Sequence, residues 1–152
     1  KDRLPQPRCV ATISWSFAKL KLHDPGMMSI LGSLAVRWIE GFKSFELGIV
    51  VWGFAKLQVR DEALFRAVYE QVMRTAQQFS LRSLSMTAWA YATTRLPFSA
   101  TVLHRMTEMF VAGLAESDAN PITITNMVWA LATARLVVPK QAMQRIGLAA
   151  VE

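Results

Sequence analysis

Leu47-Gly-Ile-Val-Val-Trp-Gly-Phe-Ala-Lys-Leu57 decides how this chain is read, because its second half recurs. Trp15-Ser-Phe-Ala-Lys-Leu20, Trp52-Gly-Phe-Ala-Lys-Leu57, Trp89-Ala-Tyr-Ala-Thr-Thr94 and Trp129-Ala-Leu-Ala-Thr-Ala134 all run tryptophan, small residue, large apolar residue, alanine. The tryptophans are spaced by 37, 37 and 40 residues. Leu22, Val59, Leu96 and Leu136 stand seven residues after them, and Val10, Leu47, Leu84 and Ile124 five before. Phe42 and Phe79 stand ten before the middle two. Pro25, Asp61, Pro97 and Pro139 punctuate the chain downstream of each copy. Self-similarity at a fixed period is the signature of a stacked repeat array.

Each repeat predicts two helices. Apolar residues at five and two before the tryptophan, and two and five after it, carry the spacing of an amphipathic helix. This places tryptophan helices at about 8–22, 44–59, 81–95 and 122–136, and second helices at about 26–40, 62–77, 99–115 and 140–151. Asp61 and Glu62 stand where acids favour a helix start, Ser99 reads as an N-cap, and Pro121 suits a first turn. Ala-Glu-Ser-Asp-Ala-Asn, 115–120, lengthens one loop and accounts for most of the 40-residue gap. The expected architecture is all-α: a single α-solenoid over 1–152 of about four stacked two-helix repeats, with units near 8–40, 44–77, 81–116 and 121–151. A tryptophan helix apolar over so wide an arc is expected to be buried on two sides. The tryptophans are accordingly assigned to core packing and not to base stacking. Ala18, Ala55, Ala92 and Ala132 are assigned to close helix approach.

Composition narrows the function classes. The apolar set makes up 53% of the 152 residues and charged residues only 18%, which excludes a disordered tail. Lys and Arg total 17 against 11 Asp and Glu, a formal charge of +6. One cysteine excludes a disulfide scaffold or a multi-cysteine zinc module, and Cys9 reads as a small buried thiol. Leu47–Ala55 is uncharged for nine residues and is ended by Lys56, far short of the about 20 residues a spanning helix needs. The first residues, Lys-Asp-Arg-Leu-Pro-Gln-Pro-Arg, resemble no signal peptide and do not begin with Met, so the chain reads as a piece of a longer protein. His23 and His104 are isolated, the seven glycines are scattered, and no nucleophile stands beside a base. No enzyme, metal site or cofactor is expected.

The 37-residue helical pair with Trp-small-aromatic/Leu-Ala-Lys/Thr resembles the octotricopeptide-type repeats, including the 37-residue heptatricopeptide variant. Phe45-Glu-Leu-Gly-Ile-Val-Val-Trp-Gly-Phe-Ala-Lys-Leu57 and Phe79-Ser-Leu-Arg-Ser-Leu-Ser-Met-Thr-Ala-Trp-Ala-Tyr-Ala92 carry the resemblance most fully, and it covers about 10–151. The resemblance implies RNA binding in the mitochondrion, with the plastid as the alternative. Members of that family process or stabilise organellar transcripts, assist translation, or are built into mitochondrial ribosomes with their rRNA. Some carry a C-terminal RAP domain, which is not visible in these 152 residues.

The residues themselves offer a candidate RNA surface on the tryptophan helices. Positions three before, one after and four after the tryptophan read Thr12, Ser16, Lys19 in the first copy and Ile49, Gly53, Lys56 in the second. They read Met86, Ala90, Thr93 and then Asn126, Ala130, Thr133 in the last two. The residue six after adds Lys21, Gln58, Arg95 and Arg135. Small residues leave room for a strand, hydroxyls and amides read base edges, and cations neutralise phosphate. Arg66, Arg74, Arg105 and Arg145 on the second helices are assigned to an ordinary outer face. Arg outnumbers Lys 11 to 6, a bias that suits phosphate recognition. A protein–protein scaffold subunit within a large organellar complex is the alternative reading, resting on low charge and abundant Met, Trp and Phe.

Overall fold

The computed structural model describes residues 6–116 and 119–151, and among these it is all-α. Eight helices follow one another: α1 (Pro7–Leu20), α2 (Pro25–Arg37), α3 (Ser44–Lys56), α4 (Glu62–Arg74), α5 (Leu81–Thr94), α6 (Ser99–Gly113), α7 (Pro121–Thr133) and α8 (Lys140–Ala149). Single 3-10 turns at Ile39–Gly41 and Ala76–Gln78 follow α2 and α4. The expected lengthening of loop 115–120 falls in part on Ser117 and Asp118, outside the described residues, as do residues 1–5 of the N-terminal stretch.

Side chains that satisfy orphan backbone donors start four of the eight helices, α2, α4, α5 and α7. Asp24 accepts from the Met27 N–H at 2.9 Å, Asp61 from Leu64 at 2.9 Å, Ser80 from Ser83 at 3.1 Å and Asn120 from Thr123 at 2.9 Å. Pro121 occupies the first turn of α7, where its missing N–H is harmless. Ser99 departs from expectation. The helix opens on Ser99 itself after Phe98, and its buried Oγ makes no hydrogen bond. Phe98 packs edge-on against Tyr91 and beneath the Arg66 guanidinium, and its own backbone is already near-helical, so Ser99 falls inside the helix instead of at its cap.

The tryptophan helices end earlier than periodicity predicts, for one repeated reason. Lys21, Gln58, Arg95 and Arg135 are the positive-φ residues of the described chain, at φ 54, 58, 50 and 52. In three copies the reversal is a Schellman cap: Leu22 N–H donates to the Phe17 carbonyl, Val59 to Phe54 and Leu136 to Leu131, at 2.9, 2.9 and 3.0 Å. In the third, Arg95 N–H donates to Tyr91 in the single-bond version of the motif. The apolar residues two and seven after each tryptophan thus bracket a cap, and the residue between them reverses the chain.

Helices of like kind pack together: α1 on α3, α3 on α5, and α5 on α7, with α2 against α4 and α6 against α8 in the other layer. Hairpin contacts α1–α2, α3–α4 and α5–α6 join the layers. Leu47, Leu84 and Ile124, five before their tryptophans, are buried with Phe54, Tyr91 and Leu131, two after. α4 and α6 complete that core with Leu64, Phe65, Val68, Leu103, Met106 and Phe110. The chain therefore forms two helical layers with an apolar seam between them, while a third set of residues closes the seams between adjacent tryptophan helices.

Candidate nucleic-acid interface

The tryptophans follow the sequence reading only in part: Trp52 and Trp89 are half-buried and pack against the apolar core, whereas Trp15 and Trp129 are 44% and 42% exposed. Position zero lies on the far side of the helix from the inner stripe at minus five and plus two, so the indoles line the outer flank of the tryptophan layer. There the rings partner one another. Trp52 and Trp89 have centroids 6.4 Å apart, and Trp89 and Trp129 stack at 5.5 Å with planes inclined by 27°. The lysines four residues on complete the row: Lys19 Nζ lies 5.6 Å from the Trp15 ring and Lys56 Nζ 5.6 Å from that of Trp89.

The small residues one after each tryptophan also differ from their expected role. Gly53, Ala90 and Ala130 are buried, closing helix seams instead of lining an open groove. A Cβ on Gly53 would stand 2.8 Å from the Ser14 carbonyl oxygen, so α1 and α3 approach to backbone distance at this point. Ser16, their counterpart in α1, is half-buried, and its Oγ donates to the Thr12 carbonyl at 2.8 Å. Ala18, Ala55 and Ala92 are buried in seams as expected, whereas Ala132 is exposed. Cys9, expected to be a buried thiol, is exposed on the first turn of α1.

The remaining candidate residues cluster on the outer tryptophan surface and along the caps. Thr12 is exposed and donates its hydroxyl to the Arg8 carbonyl; Asn126 and Thr133 are half-buried on α7. Lys19, Lys21, Lys56, Gln58, Arg95 and Arg135 are all exposed. The left-handed backbone of Lys21, Gln58, Arg95 and Arg135 projects four long polar side chains from the same point of four successive turns. Arg60 Nη2 donates to the Arg95 carbonyl at 2.9 Å, tying the cap of α5 to the turn before α4.

Charge is partitioned between the layers. Within α1, α3, α5, α7 and their caps stand the exposed cations Arg8, Lys19, Lys21, Lys56, Arg82, Arg95 and Arg135. The single acid in those helices, Glu46, is buried and accepts from the Lys43 N–H at 2.8 Å. Ion pairs belong to the other layer: Arg66–Glu62, Arg74–Glu40 and Arg105–Glu108. Helices whose exposed charges are all cationic, interleaved with indoles, are chemically suited to polyanions that also carry flat aromatic groups, although Asp24 and Asp61 stand just beyond the caps at Lys21 and Gln58.

The stacked indoles and the non-glycine left-handed caps are the two features that sequence reasoning misses. A helical-wheel angle of about 150° between tryptophan and inner stripe is the available signal for the first. Nothing in Lys21, Gln58, Arg95 or Arg135 signals the second, because the residue usual at such a cap is glycine. Among the described residues no helix is long and apolar enough to cross a membrane. No protein-family model matches this sequence, and neither does any curated protein.

Proposed function

We propose that this chain is a non-catalytic RNA-binding α-solenoid of the octotricopeptide or heptatricopeptide kind, acting in the mitochondrion or, alternatively, the plastid. The observation that carries the reading is the charge partition: the tryptophan layer presents its cations with no exposed carboxylate among the described residues of those helices. The RNA lies along the caps and the tryptophan row. Lys19, Lys21, Lys56, Arg95 and Arg135 neutralise phosphate, Gln58, Thr12, Asn126 and Thr133 offer hydrogen bonds, and the outward indoles offer faces to unstacked bases. Ribosomal RNA in a mitochondrial ribosome and an organellar transcript are the two RNA classes that the resemblance implies.

The test is RNA affinity as a function of salt. Binding to single-stranded RNA is expected to weaken steeply as salt rises, with a slope set by the number of phosphates neutralised. Reversing charge at Lys19, Lys56, Arg95 and Arg135 together is expected to flatten that slope by roughly 0.7 for each phosphate no longer neutralised. Unchanged affinity in the four-fold variant would overturn the reading. Absence of RNA binding at low salt, with retention of protein partners, would favour the scaffold instead.

A further inference from the structure

The gap between the third and fourth caps differs in chemistry from the gap between the first and second. Asp24 and Asp61 stand nine residues after Trp15 and Trp52, and Phe98 holds that position after Trp89. The two aspartates accept from the N–H groups of Met27 and Leu64, and with Glu62 they line the cavity between the first two turns. With Phe98 in their place no side chain caps α6, and the N–H groups of Ala100 and Thr101 make no hydrogen bond among the described residues. Ser99 is only 6% exposed, and its Oγ is likewise unpaired. Ser99 and Ala100 form one wall of a cavity of about 340 Å³ whose other walls include Arg95, Thr133 and Arg135. No acidic residue among those described lines it. Buried hydroxyls are nearly always hydrogen-bonded, so an unpaired one beside two free helix N–H groups and two guanidiniums is arranged to receive an acceptor.

We infer that this gap seats one phosphate group: the oxyanion stands at the start of α6 where an aspartate carboxylate stands at α2 and α4. The free N–H groups of α6 and the positive end of its dipole favour an anion there. Arg95 and Arg135 supply charge and a planar fork for phosphate oxygens, and the Ser99 hydroxyl donates to another oxygen. The first gap disfavours the same ligand, because Asp24, Asp61 and Glu62 repel it. The cavity lies within the array, between the α5–α6 turn and the last turn of α7. Lys21, Gln58 and Arg95 stay exposed although a further tryptophan helix packs beside each of theirs, so the caps face solvent wherever the array continues. A backbone phosphate of RNA and free inorganic phosphate share this chemistry. Assignment of the seat to RNA rests on the function proposed above.

Backbone amide NMR of the 152-residue protein, titrated with inorganic phosphate and with chloride at matched ionic strength, tests the seat. Phosphate is expected to give saturable shifts at Ser99, Ala100 and Thr101, and smaller ones at Met27 and Leu64, whose N–H groups the aspartates hold. Ser99→Ala and Arg135→Gln are each expected to weaken phosphate binding at least about tenfold, the loss of one hydrogen bond to a charged group. A hydroxyl that is only a packing defect would leave that affinity unchanged in Ser99→Ala. Phe98→Asp installs the aspartate of the first two repeats and is expected to abolish the phosphate shifts, whereas Phe98→Leu loses the ring contact and keeps them. Shifts that chloride reproduces, or unchanged phosphate affinity in Ser99→Ala, overturn the inference. A single-stranded RNA then separates the two sources. Shifts at the same three amides, weakened by Ser99→Ala, assign the seat to RNA; RNA binding that leaves them unmoved overturns that assignment in favour of free phosphate. Phosphate binding without RNA binding sinks the RNA reading and keeps the seat, and RNA binding without phosphate binding does the reverse.

Discussion

Trp89 and Trp129 are 40 positions apart in the chain, and their indole rings stack 5.5 Å apart on the outer surface of the tryptophan layer. Trp89 also faces Trp52 at 6.4 Å, so it is the shared member of two ring pairs. Aromatic pairs contribute about 0.5–1.5 kcal/mol each beyond their buried area. Trp89→Ala is therefore expected to destabilise the fold by about 2–4 kcal/mol, the two pairs plus the burial removed. Trp15 is 44% exposed beneath Lys19, and Trp15→Ala is expected to cost less than about 1 kcal/mol. Urea unfolding of both variants measures the contrast. Equal losses would mean that the ring row contributes nothing of its own.

The caps set stability against surface charge. A non-glycine residue in the left-handed region costs about 1 kcal/mol, and four successive caps carry that cost. Gln58→Gly and Arg135→Gly are each expected to stabilise the protein by about 0.5–1 kcal/mol. If the caps hold RNA, Arg135→Gly weakens RNA binding while raising the melting temperature, and Gln58→Gly raises the melting temperature with a smaller effect on binding. Paired melting and binding measurements check this. A destabilised Arg135→Gly protein would count against the cap geometry itself.

Two glycines predict opposite outcomes for the same substitution. A Cβ at Gly53 meets the Ser14 backbone at 2.8 Å, and neither helix can yield without opening the α1–α3 seam. Gly53→Ala is expected to cost about 1–3 kcal/mol. Gly147 lies in α8 with nothing within 4 Å of an added Cβ. There Gly147→Ala is expected to stabilise by up to about 1 kcal/mol through helix propensity. Chemical denaturation of the two variants beside the wild-type chain distinguishes them.

The starts of α4 and α7 are legible in the sequence because they carry local chemistry. Asp61 and Pro121 act through their own side chains within one turn, and neighbouring structure does not change that role. Ser99 escapes the same logic because Phe98 packs against Tyr91 and Arg66, a tertiary contact outside the reach of short-range rules. The tryptophans escape it because a wide apolar arc is equally consistent with three buried faces or with two buried faces and an aromatic outer row. Only the angle between Trp52 and the Leu47–Phe54 stripe separates those cases. The chain's greasy composition has a matching explanation: apolar residues serve the seams between neighbouring tryptophan helices as well as the seam between layers. The cationic surface is legible as residues, whereas the layer-wide absence of exposed carboxylates depends on the burial of Glu46.

Tyr91 links the two layers and makes stability depend on alkaline pH. Its ring packs edge-on against Phe65 with centroids 5.1 Å apart, and its buried hydroxyl donates to the Phe65 carbonyl across the seam between α5 and α4. Burial disfavours the phenolate and raises the pKa well above the ordinary value of 10.0. The unfolded chain therefore releases this proton at lower pH than the native one. The neutral-state advantage is fully present below pH 10.0 and is lost progressively as pH rises past it toward the raised native value. Stability of the wild-type protein is accordingly expected to fall through that alkaline window. Tyr91→Phe keeps the ring contact and removes both the hydrogen bond and the titration. It is expected to be about 0.5–1.5 kcal/mol less stable at neutral pH, with a flatter alkaline profile. Urea midpoints measured from neutral to strongly alkaline pH read both effects at once. An identical alkaline slope in the two proteins would show that Tyr91 is not its source.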